Sequence, residues 1–177
     1  FLEDGALDFF ANKLGIEITD RNNEFKMGYD DKIKYIVDGM AIFNGERIVV
    51  ENKISNAASY KFTDSMGYIM QCQLYMYLEN VNKALLCGIY QGKPIFKFID
   101  RDDDMIKDML EMTDFVVNCL MGMDDFDNFP THLLEKYGTA DTVKPMEDLS
   151  ETTINYFRTL AELEAEAKAV ENKIKEF

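Results

Sequence analysis

Residues 34–53 of the chain read KYIVDGMAIFNGERIVVENK, and this stretch decides the fold. Two runs rich in β-branched and aromatic residues, 34–43 and 47–53, flank the pair Asn44-Gly45. Asn-Gly between two such runs is the strongest short-range signal for a β-hairpin, because both residues accept the positive φ of a tight turn. The sequence therefore predicts two antiparallel strands joined at this pair.

The predicted register places two acidic side chains opposite each other. If a two-residue loop closes the hairpin, Phe43 faces Glu46. Each step away from the turn pairs the next residue of each strand, which brings Asp38 across from Glu51. Directly opposed residues share a face of the sheet, with Cβ atoms roughly 4.5–5.5 Å apart. Lys53 is two residues beyond Glu51 and projects from the same face.

The surroundings of these three charged residues favour a metal site. Ile48, Val49 and Val50 make the second strand an apolar run, as expected for a strand covered on both faces. Two carboxylates at the end of such a strand are costly to leave unpaired. A hard divalent cation, Mg²⁺ or Mn²⁺, takes oxygen ligands, and the backbone carbonyl of Asn52 is a further candidate ligand. An exposed charge network at a sheet edge is the alternative interpretation.

The order of the remaining segments predicts a mixed α/β sandwich with a sheet at its centre. The predicted helices cover residues 1–14, 64–79, 102–121 and 150–177, and the other predicted strands cover residues 16–19, 83–90 and 94–99. The domains expected from this order are a core of residues 1–129 and a helical extension of residues 130–177. The narrow apolar stripe of the last helix favours packing on the core or self-association.

Two segments of the predicted core resemble a known superfamily. Val37-Asp38-Gly39 followed by Val49-Val50-Glu51-Asn52-Lys53 resembles the PD-(D/E)xK nuclease signature, an acid on one strand and acid-x-lysine on the next. Residues 68–75, YIMQCQLY, are similar to the glutamine-bearing helix of the branch that contains lambda exonuclease, YqaJ-type viral recombinases and RecB-like nucleases. Val37 replaces the proline of the signature, as is common in this branch.

The first predicted helix extends the resemblance upstream. Leu2-Glu3, followed by a helix that ends before Gly15, is similar to the family's first helix, where a glutamate contributes to the metal site. Glu3 is the expected counterpart. The resemblance covers residues 1–121 and implies a restriction-endonuclease-like αβββαβ core followed by a further helix.

The resemblance also implies a role for each residue of the site. Asp38 and Glu51 are expected to bind the metal, with the first-helix glutamate assisting. Lys53 is expected to be catalytic, and Gln71 to position the lysine or the scissile phosphate. Tyr75 lies four residues after Gln71 and so shares its helical face, and it is included in the predicted site.

The net charge of −14 at pH 7 is the main objection to a DNA-binding function, because affinity for DNA usually comes from neutralising phosphates. The charge is unevenly distributed, however. Residues 20–62, which hold the predicted site, contain seven acidic and seven basic residues. Bound divalent cations would make this segment positive.

The leading hypothesis is a metal-dependent exonuclease that degrades one strand of duplex DNA from its end for phage-type recombination, using one or two Mg²⁺ or Mn²⁺ ions. Its expected partners are double-stranded DNA ends and a single-strand annealing recombination protein, and a homo-oligomer is compatible with the long C-terminal helix. One alternative is an endonuclease of the restriction or junction type on the same core. The other is a catalytically inactive acidic interaction protein, which the net charge would suit.

Cysteine usage and hydropathy limit the remaining possibilities. Cys72, Cys87 and Cys119 match no zinc or disulfide spacing and are too few for the four-cysteine iron–sulfur cluster of some relatives, so no such cluster is expected. No apolar run reaches the roughly 18 residues of a membrane span, and no signal peptide is visible. These features predict a cytoplasmic protein of a bacterial or phage-infected cell, with no membrane partner. Phe1 falls inside a predicted helix, so we expect the chain to begin upstream.

Overall fold

Seven strands and four α-helices form the part of the chain that the computed structural model describes, namely residues 2–21, 24–55 and 61–137. The helices are α1 (Leu2–Leu14), α2 (Met66–Leu78), α3 (Asp103–Leu120) and α4 (Thr131–Tyr137). The strands are β1 (Ile18–Thr19), β2 (Lys26–Gly28), β3 (Ile33–Tyr35), β4 (Gly39–Phe43), β5 (Glu46–Ser55), β6 (Lys83–Tyr90) and β7 (Lys93–Asp100). The predicted helix at residues 150–177 lies outside the described residues.

A five-stranded mixed sheet in the order β1-β4-β5-β6-β7 forms the centre of the fold. Strands β5 and β6 are parallel, and the other neighbouring pairs of this sheet are antiparallel. A parallel pair needs a crossover connection, and α2 lies in the connection from β5 to β6. The predicted α/β fold, a central mixed sheet flanked by helices, is therefore confirmed.

The two faces of the sheet carry separate hydrophobic clusters, one with α1 and one with α2. The α1 residues of the first are Leu7 and Phe10, and the α2 residues of the second are Cys72, Tyr75 and Met76. Strand β5 contributes to both, since Ile48 and Val50 face α1 whereas Val49 faces α2. By the same alternation, Glu51 and Lys53 project towards α2.

The hairpin between β4 and β5 forms as predicted. Asn44 and Gly45 join the strands with φ values of 53° and 83°. The ladder runs from the pair Phe43–Glu46 to the pair Gly39–Val50, which is the predicted register. The pairing therefore points Asp38 and Glu51 towards each other, one position beyond the last ladder pair.

The first strand of this hairpin is shorter than predicted. The sequence indicated one strand over residues 34–43, but β4 begins at Gly39, and β3 pairs with β2 in a separate two-stranded sheet that the sequence analysis missed. The ladder ends because the Asp38 carboxylate accepts the main-chain N–H of Asn52, with Oδ2 and N 2.8 Å apart. A continued strand would offer a main-chain carbonyl to that N–H instead.

The chain divides into two compact units, Phe1–Thr113 and Asp114–Phe177. The first contains the five-stranded sheet with α1 and α2. In the second, the ring of Phe115 packs edge-on against Phe126 and Phe129, with centroids 6.1 and 5.4 Å away. The predicted domain boundary between residues 129 and 130 stays a prediction. None of the described helices combines the length and the apolar character that crossing a membrane requires.

Gly88 of β6 leaves no room for a side chain beside Lys53 of β5. A Cβ built on this residue would lie 1.8 Å from the carbonyl oxygen of Lys53, and its φ of +150° is one that side-chain-bearing residues rarely adopt. Glycine inside a strand often marks such a close approach of two backbones. Gly88 therefore fixes where the backbone of Lys53 lies.

Replacing Gly88 by alanine is expected to lower the free energy of unfolding by about 2–4 kcal/mol, because the added methyl group must displace the backbone of β5. Gly92→Ala is the matched control. Gly92 also has a positive φ, +73°, but a Cβ added to it would meet nothing within 4 Å, so its cost is about 1 kcal/mol. Urea denaturation of both variants measures the difference, and equal losses would contradict the close approach.

Candidate metal centre

Glu51 is a carboxylate buried inside the sheet. It is 1% exposed, and neither of its carboxylate oxygens has a hydrogen-bond partner among residues 2–21, 24–55 and 61–137. The ammonium of Lys53 forms an ion pair with Oε1. Because buried charges are normally both paired and hydrogen-bonded, this carboxylate has unused capacity to bind a cation.

A second buried carboxylate of the same chain is fully paired. Glu79, whose side chain is 7% exposed, lies 2.5 Å from Nζ of Lys26 and 3.5 Å from a guanidinium nitrogen of Arg47. It also accepts a hydrogen bond from the hydroxyl of Tyr35 at 3.1 Å. The fold thus surrounds one buried acid with three donors and leaves Glu51 with a single ion pair.

The protonation of Glu51 reflects this environment. Burial raises its pKa to about 7, the charge of Asp38 adds to the effect of burial, and the ammonium of Lys53 opposes both. At neutral pH the carboxyl group therefore lies near the midpoint of its titration. A divalent cation would favour the ionised form.

Asp38 lies beside Glu51 although it precedes β4. Its Oδ2 accepts the N–H of Asn52, and its carboxyl group is close enough to that of Glu51 for its negative charge to raise the pKa of Glu51. The predicted juxtaposition of the two acids across the hairpin is present in the structure.

Lys53 completes this group. Its side chain is 23% exposed, and its Nζ lies 5.2 Å from the centroid of the Tyr68 ring as well as beside Glu51. Burial lowers the pKa of Lys53, but the charges of Glu51 and Asp38 outweigh burial, so the pKa lies above its usual value. The side chain is therefore a protonated ammonium group at neutral pH.

Helix α2 presents three further side chains to this group. Tyr68, Gln71 and Tyr75 are spaced three and four residues apart and so lie on one helical face. The Gln71 amide donates to the Tyr75 hydroxyl, with Nε2 and O 2.9 Å apart. Burial raises the pKa of Tyr75, the hydrogen bond from Gln71 lowers it, and the charge of Glu51 raises it. Tyr75 thus lies near the acids and Lys53, and Gln71 is bound to Tyr75; their roles in the site stay predictions.

The two other predicted ligands differ in position. Asn52 is 4% exposed, and its N–H is bound to Asp38. In the part of the chain that the structure describes, both polar atoms of its side-chain amide lack a hydrogen-bond partner. Glu3 is exposed in the first turn of α1, the helix on the opposite face of the sheet. Within residues 2–21, 24–55 and 61–137, no three Asp, Glu, His or Cys side chains converge as a metal site. Ligation by Glu3 and by the Asn52 carbonyl stays a prediction.

The donor set brought together here fits a hard divalent cation. Asp38 and Glu51 offer carboxylate oxygens, and those of Glu51 are buried without hydrogen bonds. Mg²⁺ typically binds through one or two carboxylates and fills its remaining positions with water and substrate phosphate. Two acidic residues are therefore sufficient for such a centre.

Sequence reasoning missed two residues of the centre, and both leave a signal. Tyr68 shares the spacing that links Gln71 to Tyr75, but only the last two were assigned roles. Gly88 interrupts an apolar strand, which is the usual mark of a close backbone approach. Both residues lie against Lys53: the ring of Tyr68 lies near its ammonium group, and Gly88 lies beside its main-chain carbonyl oxygen.

The three cysteines are free and buried. Burial raises the pKa of the Cys72 thiol and raises that of Cys87 to about 12. Neither thiol is therefore ionised at neutral pH, and thiolate ligation is disfavoured at both positions.

The raised pKa of Glu51 predicts that the metal-free protein loses stability as the pH rises from about 4.5 to about 7. The pKa in the folded protein, about 7, exceeds the usual value of 4.5, so the folded chain holds a proton that the unfolded chain has released. The contribution of this proton to the free energy of unfolding is complete below pH 4.5 and is lost as the pH passes 7. It amounts to about 3 kcal/mol.

Denaturant unfolding of the metal-free protein across this pH range measures the effect. Glu51→Gln cannot titrate and is expected to lack it. A difference in unfolding free energy between wild type and variant that stays constant from pH 4.5 to 7 would contradict the raised pKa.

Asp38→Asn is expected to raise the melting temperature of the metal-free protein at pH 8 by roughly 2–5 °C, because one of two adjacent charges is removed. The asparagine carbonyl can still accept the N–H of Asn52. Asp38→Ala is the matched control, since it removes the charge and the acceptor together and should melt below Asp38→Asn. Melting of Asp38→Asn below wild type would argue against repulsion between the two acids.

No protein-family model matches the sequence, and no curated protein matches it. Several solved structures are similar. A phage-related exonuclease from Haemophilus somnus 129PT matches with 18% identity and a TM-score of 0.52, over 64% of this chain and 64% of that one. The alkaline exonuclease LHK-Exo from Laribacter hongkongensis matches with 17% identity and a TM-score of 0.50, over 99% of this chain and 71% of that one.

A second structure of LHK-Exo, in complex with dAMP, matches with 18% identity, a TM-score of 0.50 and the same coverage. The present chain spans 64% of the length of the phage-related exonuclease. At these identities the likeness is one of fold. The chain therefore shares the fold of these exonuclease structures, as its motifs predict.

Proposed function

We propose that this chain is a metal-dependent deoxyribonuclease, an exonuclease that hydrolyses phosphodiester bonds from the ends of duplex DNA. The observation that carries the proposal is the carboxylate of Glu51, which is almost completely buried beside a second acid, Asp38, with Lys53 as its one ion-pair partner among the described residues. A purely structural acid would be expected to resemble Glu79, which has three donors around it. A site that receives a cation accounts for the difference.

Asp38 and Glu51 would hold one Mg²⁺ or Mn²⁺ ion, with the main-chain carbonyl of Asn52 as a third ligand. Glu3 lies in the first turn of α1, on the opposite face of the sheet, so the proposed ligand set does not depend on it. When bound, such a cation neutralises phosphate charge and lowers the pKa of a coordinated water molecule.

The remaining residues of the centre act on the phosphate. The protonated ammonium of Lys53 donates to a phosphate oxygen, and this contact strengthens as negative charge accumulates there. A bond forms from the oxygen of water to phosphorus, and the bond from phosphorus to one sugar oxygen breaks. That sugar oxygen leaves with a proton. Gln71, oriented by its hydrogen bond to Tyr75, positions the ammonium or the phosphate.

The preference for DNA ends is supported by the structures that share the fold, which are exonucleases, one of them with bound dAMP. A deoxynucleoside monophosphate is the kind of product that an exonuclease releases. We further propose that the single strand left behind is used by an annealing protein in phage-type recombination, in the cytoplasm of a bacterial or phage-infected cell. Assembly into a homo-oligomer belongs to the same proposal.

One other function has an observation in its favour. The net charge of −14 suits an acidic interaction protein that keeps the fold without catalysis. Such a protein would need neither the pairing of Asp38 with Glu51 nor a lysine beside them. It would show no metal-dependent cleavage and no stabilisation by Mn²⁺.

Incubation with linear duplex DNA and Mg²⁺ or Mn²⁺ is expected to release nucleotides, and Lys53→Ala is expected to reduce the rate at least about 100-fold, because the charge that stabilises the phosphate is lost. Calorimetric titration of Lys53→Ala should still show Mn²⁺ binding, since both carboxylates remain. Chelation with EDTA should abolish cleavage by the wild type.

Covalently closed circular DNA separates the two nuclease alternatives. An exonuclease leaves the circle intact, whereas an endonuclease nicks or linearises it. Lys83→Ala, which changes a lysine paired with Asp100 at the other end of β6, is the matched control and should cleave linear DNA like the wild type. Equal cleavage by wild type and Lys53→Ala would refute the assignment of the site.

A further inference from the structure

We propose that Tyr68 is a positioning residue whose ring holds the ammonium group of Lys53 once a divalent cation has taken over Glu51. The inference rests on the proposed function, because it concerns the same centre in its cation-loaded state. It assigns a role to a residue outside the set that the motifs identify.

The ammonium of Lys53 lies between two partners of different kinds. On one side it forms the ion pair with Oε1 of Glu51, and on the other it lies over the ring of Tyr68, 5.2 Å from its centroid. A distance within about 6 Å is in the range in which a cation is attracted to the face of an aromatic ring. The structure thus shows both contacts at once.

A divalent cation and Lys53 compete for the same carboxylate. Oε1 of Glu51 is the oxygen next to the ammonium, and a cation held by this buried carboxylate would lie close to that ammonium. When a cation binds, it neutralises the carboxylate of Glu51, so the attraction between Glu51 and Lys53 is weakened. The cation and the ammonium of Lys53, both positive, then repel each other. The ammonium then loses its ion pair without losing its charge.

The backbone prevents Lys53 from retreating as a whole. Gly88 lies so close to the carbonyl oxygen of Lys53 that even a Cβ has no room between the strands. Lys53 is also paired with Gly88 in the ladder of β5 and β6, so the adjustment is expected in its side chain. Its ammonium must therefore find a second position within reach of the same Cα.

The ring of Tyr68 offers that position. Tyr68 is half-buried and packs against the hydrophobic cluster between α2 and the sheet, so the ring is held in place whether or not a cation is bound. A ring attracts an ammonium ion without neutralising it. Lys53 then remains charged, near the cation and free to donate to a phosphate oxygen.

The first test compares Tyr68→Leu, which removes the ring and keeps apolar bulk, with Tyr68→Phe, which keeps the ring. With Mn²⁺ and linear DNA, Tyr68→Leu is expected to lower kcat about threefold to thirtyfold with little change in KM. Tyr68→Phe keeps the ring and is expected to retain most of the wild-type kcat. Tyr77→Leu is the matched control, because it removes a different contact between an aromatic ring of α2 and a positively charged side chain. The guanidinium of Arg101 lies 5.9 Å from the centroid of the Tyr77 ring. Tyr77→Leu should behave like the wild type.

The second test needs no DNA. Brief acetylation followed by mass spectrometry measures the accessibility of the Lys53 amine, with Lys83 as an internal reference. In Mn²⁺-loaded protein, Lys53 of Tyr68→Leu is expected to react about threefold to tenfold faster than in the wild type or Tyr68→Phe. Without metal the three proteins should react alike, since the ion pair with Glu51 holds Lys53 in each.

Two results would overturn the inference: equal losses of kcat in Tyr68→Phe and Tyr68→Leu, or labelling of Lys53 that Mn²⁺ leaves unchanged in Tyr68→Leu. These outcomes are distinct from failure of the proposed function. If the wild type cleaves DNA but either result is obtained, only the role of Tyr68 is refuted. If the wild type cleaves no DNA while the labelling follows the expected pattern, the position of Lys53 stands and the nuclease assignment fails.

Discussion

The structure depends on one unfavourable contact, the approach of the Asp38 and Glu51 carboxyl groups at the end of an apolar strand. Burial and the neighbouring acid together raise the pKa of Glu51 to about 7, with burial the larger cause. Proteins usually resolve such a conflict with donors, as this chain does for Glu79. Here a single lysine is supplied, so the carboxylates keep the capacity to bind a cation from solution.

The topology of the sheet explains how the other groups reach this contact. Because β5 and β6 are parallel, the chain must cross from one end of the sheet to the other, and α2 makes that crossing over the face to which Glu51 and Lys53 project. Tyr68, Gln71 and Tyr75 therefore face the acids. Under the proposed function, a bound divalent cation would make this centre positive within an otherwise acidic chain.

Part of the fold and of the site follows from local sequence alone. The turn at Asn44-Gly45 sets the register of β4 and β5, and the register brings Asp38 to Glu51. Local sequence could not predict the break between β3 and β4, because it arises where the carboxylate of Asp38 accepts the main-chain N–H of Asn52. The small sheet of β2 and β3 was missed because its strands are three residues each, too short for an alternating pattern to identify.

The sequence by itself determined the hairpin, the acid-x-lysine spacing and the helical face shared by Gln71 and Tyr75, because each depends on neighbours within a few residues or across one tight turn. Only the tertiary structure decided how deeply Glu51 is buried, which ring lies under Lys53 and which face of the sheet α1 covers. These depend on packing between segments far apart in the chain. Periodicity gives the direction of a side chain relative to its own strand or helix, and tertiary packing decides what that side chain meets.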